Sequence, residues 1–322
     1  FHELSFDRSG KKISRIIYIF FKILNLIHKL KPNILHLVTI QPILIGGIAG
    51  RIMGIKKIVY AISGLGHTFL SENLITKIRR LLILKSYQLA LGGKNRKVIF
   101  QNPEDHALLS KVCSLSNKET IIIPGSGVDL KKFNYSKVPE SNPIVMMASR
   151  LLVSKGVYEF IEAAKIVQKK GLKIKFQLVG KPDQSNPLTI KKYEIEKWES
   201  EGYIEYLGYR NDLNKIIPKA HIIVLPSYYP EGLPKILCEA AACGRPVITT
   251  DEPGCKDAIK NGETGILIRR KDSKNLANAI IKIIKNKKLL NDMSIAARAR
   301  AEKLFDIKSV VKTHIDIYKS LN

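Results

Sequence analysis

Two cations follow the first predicted strand in the second half of the chain. The segment Ser149–Gly156 contains Arg150 and Lys155 and comes directly after an apolar run that begins at Ile144. An arginine fork, a lysine point charge and the N–H groups of a helix start form the kind of site that holds a pyrophosphate. Arg150 and Lys155 are therefore candidate diphosphate ligands. The alternative is that both are solvated side chains in a lysine-rich protein.

Two glutamates lie eight residues apart in a second segment, Pro230–Ala240. Pro234 suits the first position of a helix, which places Glu231 in the preceding loop and Glu239 inside the helix. A carboxylate accepts hydrogen bonds from two hydroxyl groups well, so these acids suit a ribose or a hexose. The helix amides between them suit phosphates. The alternative is a capping acid followed by an exposed helical glutamate.

Several cofactor and metal motifs are absent from the sequence. Glycine-containing stretches at 63–66 and 125–127 follow predicted strands, yet neither continues as a dinucleotide fingerprint, and there is no G-x-x-x-x-G-K-[ST] loop. The four cysteines form no C-x-x-C pair and the seven histidines no H-E-x-x-H, so neither a zinc site nor a disulfide framework is expected. There is also no D-x-D pair, and we expect no metal ligand and no bound cofactor.

The charge balance of the chain is strongly basic. The 322 residues include 54 Lys and Arg against 28 Asp and Glu, which gives a formal net charge of +26. Solvated faces explain such a surplus, and so does attraction to an anionic membrane or a phosphorylated lipid. Nucleic acid is not an expected partner, because no nucleic-acid motif or aromatic-interleaved basic ribbon occurs. No uncharged apolar run is long enough for a membrane-spanning helix.

Short β-branched runs alternate with longer helical patterns along both halves of the chain. Near-continuous apolar strands separated by helices are typical of parallel sheets that are covered on both faces. We therefore expect an α/β protein with two Rossmann-like, doubly wound parallel-sheet domains. The polar, proline-containing stretch 134–143 is the expected linker. The predicted domains are residues 1–138 and 139–322, with the last helix packing back on the first domain.

The order and spacing of these segments resemble the retaining glycosyltransferases of family 4, which have the GT-B fold of two Rossmann-like domains facing a cleft. The resemblance rests on the Arg150/Lys155 and Glu231/Glu239 segments and on three further stretches. These are Gly125-Ser126-Gly127-Val128-Asp129 with Phe133, Leu207-Gly208-Tyr209-Arg210, and Pro253-Gly254 with Gly262 and Gly265. Together the motifs extend over residues 57–268 in the order that the family has.

The resemblance implies a role for each matching position. The catalytic residues are Glu231, which meets the transferred sugar, and Arg150 and Lys155, which neutralise the leaving diphosphate. Glu239 binds the ribose of the donor. The other expected donor-binding residues are Gly232, Leu233, Pro234, Tyr209, Arg210 and Gly254. The donor is a nucleotide sugar, expected to be UDP-linked, and it is a substrate rather than a cofactor.

Two features depart from the usual family pattern. The chain enters at what resembles a later helix, so the first domain is expected to be incomplete at its N-terminus. Many members carry a histidine after the strand that corresponds to 57–62, whereas this chain has Ser63 and Gly64 there, and His67 follows. Ser63, Gly64 and His67 are candidate contacts to the sugar or the acceptor. This Ser-Gly variant resembles the subgroup that builds bacterial surface polysaccharides on lipid carriers.

The resemblance implies transfer of a hexose, with retention, to a glycan linked to undecaprenyl diphosphate. The protein is then expected at the cytoplasmic face of the bacterial plasma membrane. The amphipathic helix 11–30 and the basic surplus favour peripheral contact with that anionic leaflet, although an ordinary core-packed helix explains 11–30 as well. Two other functions stay open: a nucleotide-sugar 2-epimerase of the same fold, and a non-catalytic module that binds a nucleotide sugar or a phospholipid.

Overall fold

The computed structural model describes residues 2–4, 13–65 and 74–321. These residues form two units, each built on a parallel sheet. One unit contains the residues up to Ile123 together with those from Val311 onward, and the other contains Pro124 to Val310. The expected α/β class with parallel sheets is confirmed. The boundary, however, lies earlier in the chain than the expected position after residue 138.

Residues 124–138 belong to the second unit because they pack against it and bind to it. Side chains of this segment are part of the hydrophobic core of the second unit. The fully buried Arg245 donates from Nη2 to the Ser136 carbonyl over 2.5 Å and to the Lys137 carbonyl over 2.9 Å. The polar, proline-containing composition of 134–143 therefore marks a segment fixed to the second unit, and the prediction of a linker there is wrong in its position.

The first unit contains four parallel strands and their crossover helices. Its elements in chain order are α1 (Ile13–Leu30), β1 (Leu35–Val38), α2 (Ile40–Ile52), β2 (Ile58–Ile62), α3 (Leu74–Ala90), β3 (Arg96–Phe100), α4 (Pro103–Cys113) and β4 (Thr120–Ile122). The strand order is β1-β2-β3-β4, so each connection leads to the neighbouring strand. Four of the five residues of β2 are buried, as expected for a parallel strand covered on both faces.

The second unit contains a six-stranded parallel sheet. Its elements are β5 (Ile144–Ala148), a 3₁₀ turn (Val153–Lys155), α5 (Val157–Lys169), β6 (Lys175–Val179), α6 (Lys192–Ser200), β7 (Glu205–Gly208), α7 (Leu213–Ile216), β8 (Ile222–Leu225), α8 (Lys235–Ala242), β9 (Val247–Thr250), α9 (Cys255–Ala258), β10 (Gly265–Ile268), α10 (Ser273–Lys285) and α11 (Lys287–Leu304). The last helix, α12 (Ile307–Lys319), begins in this unit, and its residues from Val311 belong to the first unit.

The strand order of the second sheet creates a topological switch point. The order is β10-β9-β8-β5-β6-β7, so the chain leads from β5 to β6 and β7 on one side and returns to add β8, β9 and β10 on the other. Ligands of open α/β sheets bind at the carboxyl ends of the strands beside such a point. Ser149–Gly156 follows β5, and Pro230–Ala240 lies beyond the end of β8. Both predicted site segments therefore reach the switch point between β5 and β8.

Candidate active site

Lys155 and Glu231 form an ion pair at the switch point. Lys155 Nζ lies 2.5 Å from Glu231 Oε2, and the two side chains are only 9% and 16% exposed. Lys155 ends the 3₁₀ turn after β5, and Glu231 lies in the loop between β8 and α8. A shielded cation beside a carboxylate offers a partner for phosphate and an acceptor for hydroxyl groups within one site. The structure therefore brings these two predicted residues together.

Ser227 fixes the second oxygen of the Glu231 carboxylate. Ser227 Oγ lies 3.0 Å from Glu231 Oε1 and 3.3 Å from the Ser154 carbonyl, and it accepts the Tyr229 N–H over 3.3 Å. The Ser227 side chain is fully buried. Glu231 is thus held from two sides, by Lys155 and by Ser227. No sequence motif predicts Ser227, because a serine in a strand-to-helix loop belongs to none of the patterns described above.

Gly254 lies against the backbone of the loop that carries Glu231. Its φ angle is +78°, and a Cβ at this position would overlap the carbonyl oxygens of Gly232 and Glu231. The Gly254 N–H donates to Asp257 Oδ2 over 2.9 Å at the start of α9. Only glycine combines this backbone conformation with so close an approach of two chain segments. Gly254 and Gly232, both predicted donor-binding residues, therefore set the position of the Glu231 loop.

Glu239 is buried in α8, one turn after the helix begins. Pro234 is the N-cap of this helix rather than its first residue, because its ψ angle of 120° is extended. Lys235 Nζ lies 3.8 Å from Glu239 Oε1. Burial raises the pKa of Glu239, against the electrostatic pull of Lys235 and Lys132. A carboxylate whose charge is opposed by burial gains stability when it accepts hydrogen bonds from hydroxyl groups.

Leu233, another predicted donor-binding residue, has its side chain in the hydrophobic core of the second unit. A Cβ at Gly125 would lie 3.0 Å from Leu233 Cδ2, so the two segments are in close contact. The Leu233 side chain therefore supports the loop from the core side. This places the glycine motif at 125–127 beside the Glu231 loop within the second unit.

Arg150 reaches the same sheet edge but has a different partner. Its Nη1 lies 3.7 Å from Asp183 Oδ2, and its side chain is 55% exposed. Asp183 follows β6, the strand beside β5, so both residues are at the carboxyl end of the sheet. No motif predicted Asp183. The structure brings Arg150 to the predicted edge and pairs it with this acid.

Tyr209 and Arg210 follow β7 on the same edge, two strands away from β5. The Tyr209 side chain is 68% exposed, and Lys181 Nζ lies 5.2 Å from the centroid of its ring. Arg210 donates from Nε and Nη2 to the two carboxylate oxygens of Asp212, over 2.8 and 2.6 Å. An exposed aromatic ring at a strand end offers a flat surface on which a nucleobase can stack.

The predicted sugar or acceptor contacts belong to the first unit. Ser63 and Gly64 follow β2 at its carboxyl end, where Ser63 is half-buried and Gly64 is buried. His67 lies outside the described residues. The part of the first unit that the structure describes therefore places two of these three residues at a strand end, the position expected for ligand contacts in an α/β sheet.

Within residues 2–4, 13–65 and 74–321, no group of three or more His, Cys, Asp or Glu side chains is arranged to hold a metal ion. No helix in this part of the chain is both long and apolar enough to cross a membrane. All four cysteines are free thiols.

Two units, each built on a parallel sheet, are the architecture of the GT-B glycosyltransferases, and solved structures of this class share the fold. The family "Glycosyl transferases group 1" matches residues 129–300, more than half of the chain, and the protein belongs to this family. A second family description, "Glycosyl transferase 4-like", matches residues 1–102. The protein is a glycosyltransferase, as the motif resemblance predicted.

Two bacterial enzymes and one solved structure are similar over most of the chain. The N,N'-diacetylbacillosaminyl-diphospho-undecaprenol alpha-1,3-N-acetylgalactosaminyltransferase of Campylobacter jejuni is 29% identical over 80% of this chain and 69% of its own length. The UDP-Gal:alpha-D-GlcNAc-diphosphoundecaprenol alpha-1,3-galactosyltransferase of Escherichia coli is 28% identical over 91% and 76%. The crystal structure of Anabaena Alr3699/HepE in complex with UDP superimposes with a TM-score of 0.79 at 20% identity, over 94% and 82% of the two chains.

Proposed function

We propose that this protein transfers a hexose from a UDP-sugar to a glycan linked to undecaprenyl diphosphate, with retention of the anomeric configuration. The observation that carries the proposal is the shielded Lys155–Glu231 pair at the switch point of a glycosyltransferase fold. The names of both bacterial relatives support the acceptor, since each specifies a diphosphoundecaprenol-linked sugar and an alpha linkage. UDP is supported by the donor named for the Escherichia coli enzyme and by the complex with Alr3699/HepE.

The residues of the second unit suit the charge changes of this transfer. When the bond between the anomeric carbon and the diphosphate oxygen breaks, negative charge grows on that oxygen and positive charge on the sugar ring. Lys155 and Arg150 neutralise the departing diphosphate, which is the largest stabilisation that such a site provides. Glu231 accepts hydrogen bonds from the sugar, and Glu239 accepts them from the ribose. The acceptor hydroxyl oxygen bonds to the anomeric carbon on the face that the diphosphate leaves, and its proton passes to the departing diphosphate oxygen.

Transfer by the full chain is measured with UDP-sugars and a short polyprenyl-diphosphate sugar as acceptor, and NMR identifies the anomer formed. We expect an α-linked product from an α-linked donor. Activity should persist in excess chelator, because Lys155 and Arg150 supply the positive charge that a metal ion supplies in other enzymes. A loss on chelation that Mg²⁺ or Mn²⁺ restores would contradict this role. Epimerisation of the donor without transfer, or binding without turnover, would favour the two alternative functions.

Glu239→Gln should weaken donor binding by roughly 10- to 100-fold, since a hydrogen bond to a charged acceptor contributes about 1.5–3 kcal/mol. Because burial raises the pKa of Glu239, wild-type affinity should also fall on acidification before an ordinary carboxylate titrates. The variant should lack this pH dependence. Calorimetry with UDP measures both effects. Glu263→Gln, at an exposed glutamate of the same unit, is the control. Equal affinity of Glu239→Gln and wild type would remove Glu239 from the donor site.

We also propose that α1 holds the protein at the anionic cytoplasmic leaflet of the plasma membrane. One face of α1 contributes Ile19, Ile23 and Ile27 to a hydrophobic core cluster. That face is therefore core-packed, as the alternative interpretation of this helix expected. Ile17 and Phe21 are exposed elsewhere on the helix. The helix sequence contains Arg15, Lys22 and Lys29 and no acidic residue. Exposed apolar side chains among lysines and arginines favour an anionic bilayer surface.

Replacing both Ile17 and Phe21 by Asp should abolish most sedimentation of the protein with phosphatidylglycerol vesicles, because each change removes apolar surface and adds a negative charge. Tyr193→Asp changes an exposed aromatic residue of the second unit and serves as the control. Equal sedimentation of the double variant and the control would contradict the role of α1. Transfer to a short, soluble acceptor should be unaffected in both proteins.

A further inference from the structure

A small basic cavity lies at the amino-terminal edge of the first sheet, on the side opposite to Ser63 and Gly64. It forms where the loop from α2 to β2 meets the loop from α3 to β3, and its volume is about 210 Å³. That volume corresponds to several water molecules at about 30 Å³ each, enough for a small polyatomic ion with part of its hydration. Ten residues line the cavity; four of them are cationic and none is acidic.

The four cations are Arg51, Lys56, Lys94 and Arg96. Arg96 is ion-paired with Glu119 over 2.8 Å. Arg51, Lys56 and Lys94 form no ion pair within the described parts of the chain. Arg51 and Arg96 both act electrostatically on the hydroxyl group of Tyr60 in the cavity wall, although burial still raises the Tyr60 pKa to about 12.

Arg51 is fixed in place by its surroundings. Its Nη1 donates to the Leu89 carbonyl in the last turn of α3. A Cβ at Gly92 would overlap the Arg51 guanidinium, so the absence of a side chain at Gly92 makes room for that group. A guanidinium held by its neighbours loses little entropy when it binds a ligand. The two arginines of the cavity wall are thus held in place, Arg51 by Leu89 and Arg96 by Glu119, and the exposed Lys56 and Lys94 supply the remaining charge.

Negative groups near the cavity offset only part of its positive charge. The carboxyl ends of α2 and α3 both lie beside the cavity, and each carries roughly half a negative charge. Glu119 supplies one further negative charge. Set against four cations, these groups leave a surplus of about two positive charges around one cavity. Like charges held this close repel one another, and a dianion would remove that cost.

We propose that this cavity binds a phosphate group. Phosphate carries a charge of about −1.5 to −2 at neutral pH, which matches the surplus, and its oxygens accept hydrogen bonds from arginine forks and backbone N–H groups. A carboxylate would neutralise only half of the surplus. The phosphate is a monoester, either the headgroup of a lipid such as phosphatidic acid or part of a soluble phosphate compound. The exposed side chains of Ile52, next to Arg51, and of Leu89 border the site with apolar surface that acyl chains would cover. The site is separate from the donor site proposed for the second unit.

Amide NMR of the full chain, titrated with inorganic phosphate at constant ionic strength, locates the site. We expect saturable shifts at Gly54, Gly92 and Gly93 that acetate does not produce. Lys56→Glu combined with Lys94→Glu should weaken this binding at least about tenfold, since two of the four positive charges that line the cavity are reversed. Lys111→Glu, at an exposed residue of α4, is the matched control and should bind as wild type does. Both lysines of the double variant are exposed, and its melting temperature checks that it folds.

Sedimentation with vesicles of phosphatidic acid, a phosphomonoester, compared with vesicles of phosphatidylglycerol, a monoanionic phosphodiester, identifies the source of the phosphate. Tighter binding of the wild type and of Lys111→Glu to phosphatidic acid, with that preference lost in the double variant, would assign the site to a lipid headgroup. An unchanged lipid preference in all three proteins, together with lost binding of inorganic phosphate in the double variant, would assign it to a soluble phosphate compound. Absence of shifts at the three glycines, or equal phosphate affinity of the double variant and the control, would overturn the proposal. Donor binding to the second unit should be the same in all these proteins, so a failure here leaves the proposed transferase function intact.

Discussion

Lys155→Ala should lower kcat by a factor on the order of 10²–10³ while the KM for the donor changes much less. In the proposed transfer, the charge of Lys155 matters most when the bridging oxygen of the diphosphate becomes anionic, which happens only on the way to the transition state. The burial of Lys155 strengthens the effect. Its side chain is only 9% exposed, so water screens its charge little. Steady-state kinetics with a soluble acceptor analogue measures both constants.

Four further variants make this result interpretable. Lys173→Ala removes an exposed lysine of the same unit and should change kcat by less than a factor of a few. Arg150→Ala should also lower kcat, and Arg150→Lys should not restore it, because a point charge does not replace a bidentate fork. If both cations bind one diphosphate, the variant that combines Lys155→Ala with Arg150→Ala should lose less kcat than the product of the two single losses. Near wild-type kcat in both single variants would place the diphosphate site elsewhere.

Gly254→Ala should reduce kcat/KM by at least about 100-fold, since misplacement of a catalytic loop by about 1 Å has effects of that size. A methyl group at this position overlaps the carbonyl oxygens of Gly232 and Glu231, so the loop must move. The φ angle of +78° adds strain on the order of 1–3 kcal/mol for any residue other than glycine. Kinetics and thermal unfolding separate the displacement of the loop from the loss of stability.

Gly262→Ala is the matched control for this substitution. Gly262 has nearly the same φ angle, +82°, but a Cβ there meets no atom within 4 Å. The control should therefore lose comparable stability from backbone strain and keep its activity. If Gly254→Ala and Gly262→Ala had the same kcat/KM, the contact between Gly254 and the Glu231 loop would have no catalytic role.

The sequence alone predicted the parallel sheets and placed Lys155 and Glu231 in the segments that follow two strands of the second sheet. Both predictions depend on patterns that act over short stretches: apolar strands, and charged residues placed just after them. Because parallel strands end at one edge, residues that follow different strands are brought to the same edge by topology. The fold class and the position of these two residues at one sheet edge therefore follow from local sequence, whereas their ion pair is seen only in the structure.

The errors and omissions concern groups that stand in no motif or whose partners are distant in the chain. Ser227 stands in no recognisable pattern, although its bond to Glu231 spans only four residues. The domain boundary was placed too late because 134–143 is polar, whereas the buried Arg245, far along the chain, binds Ser136 to the second unit. Asp183 was missed as the partner of Arg150, since no motif includes it. Composition and short motifs do not encode such contacts.

The Lys155–Glu231 pair joins loops that are far apart in the chain and meet only when the second sheet is complete. A nucleotide that bridges these loops binds the folded unit and not the unfolded chain, so it raises the melting temperature by an amount that grows with the logarithm of its affinity. At a concentration of about 100 times the dissociation constant, the added stability is about 2.7 kcal/mol. Thermal denaturation with a panel of nucleoside diphosphates therefore ranks the bases that the protein accepts, without an acceptor lipid and without turnover.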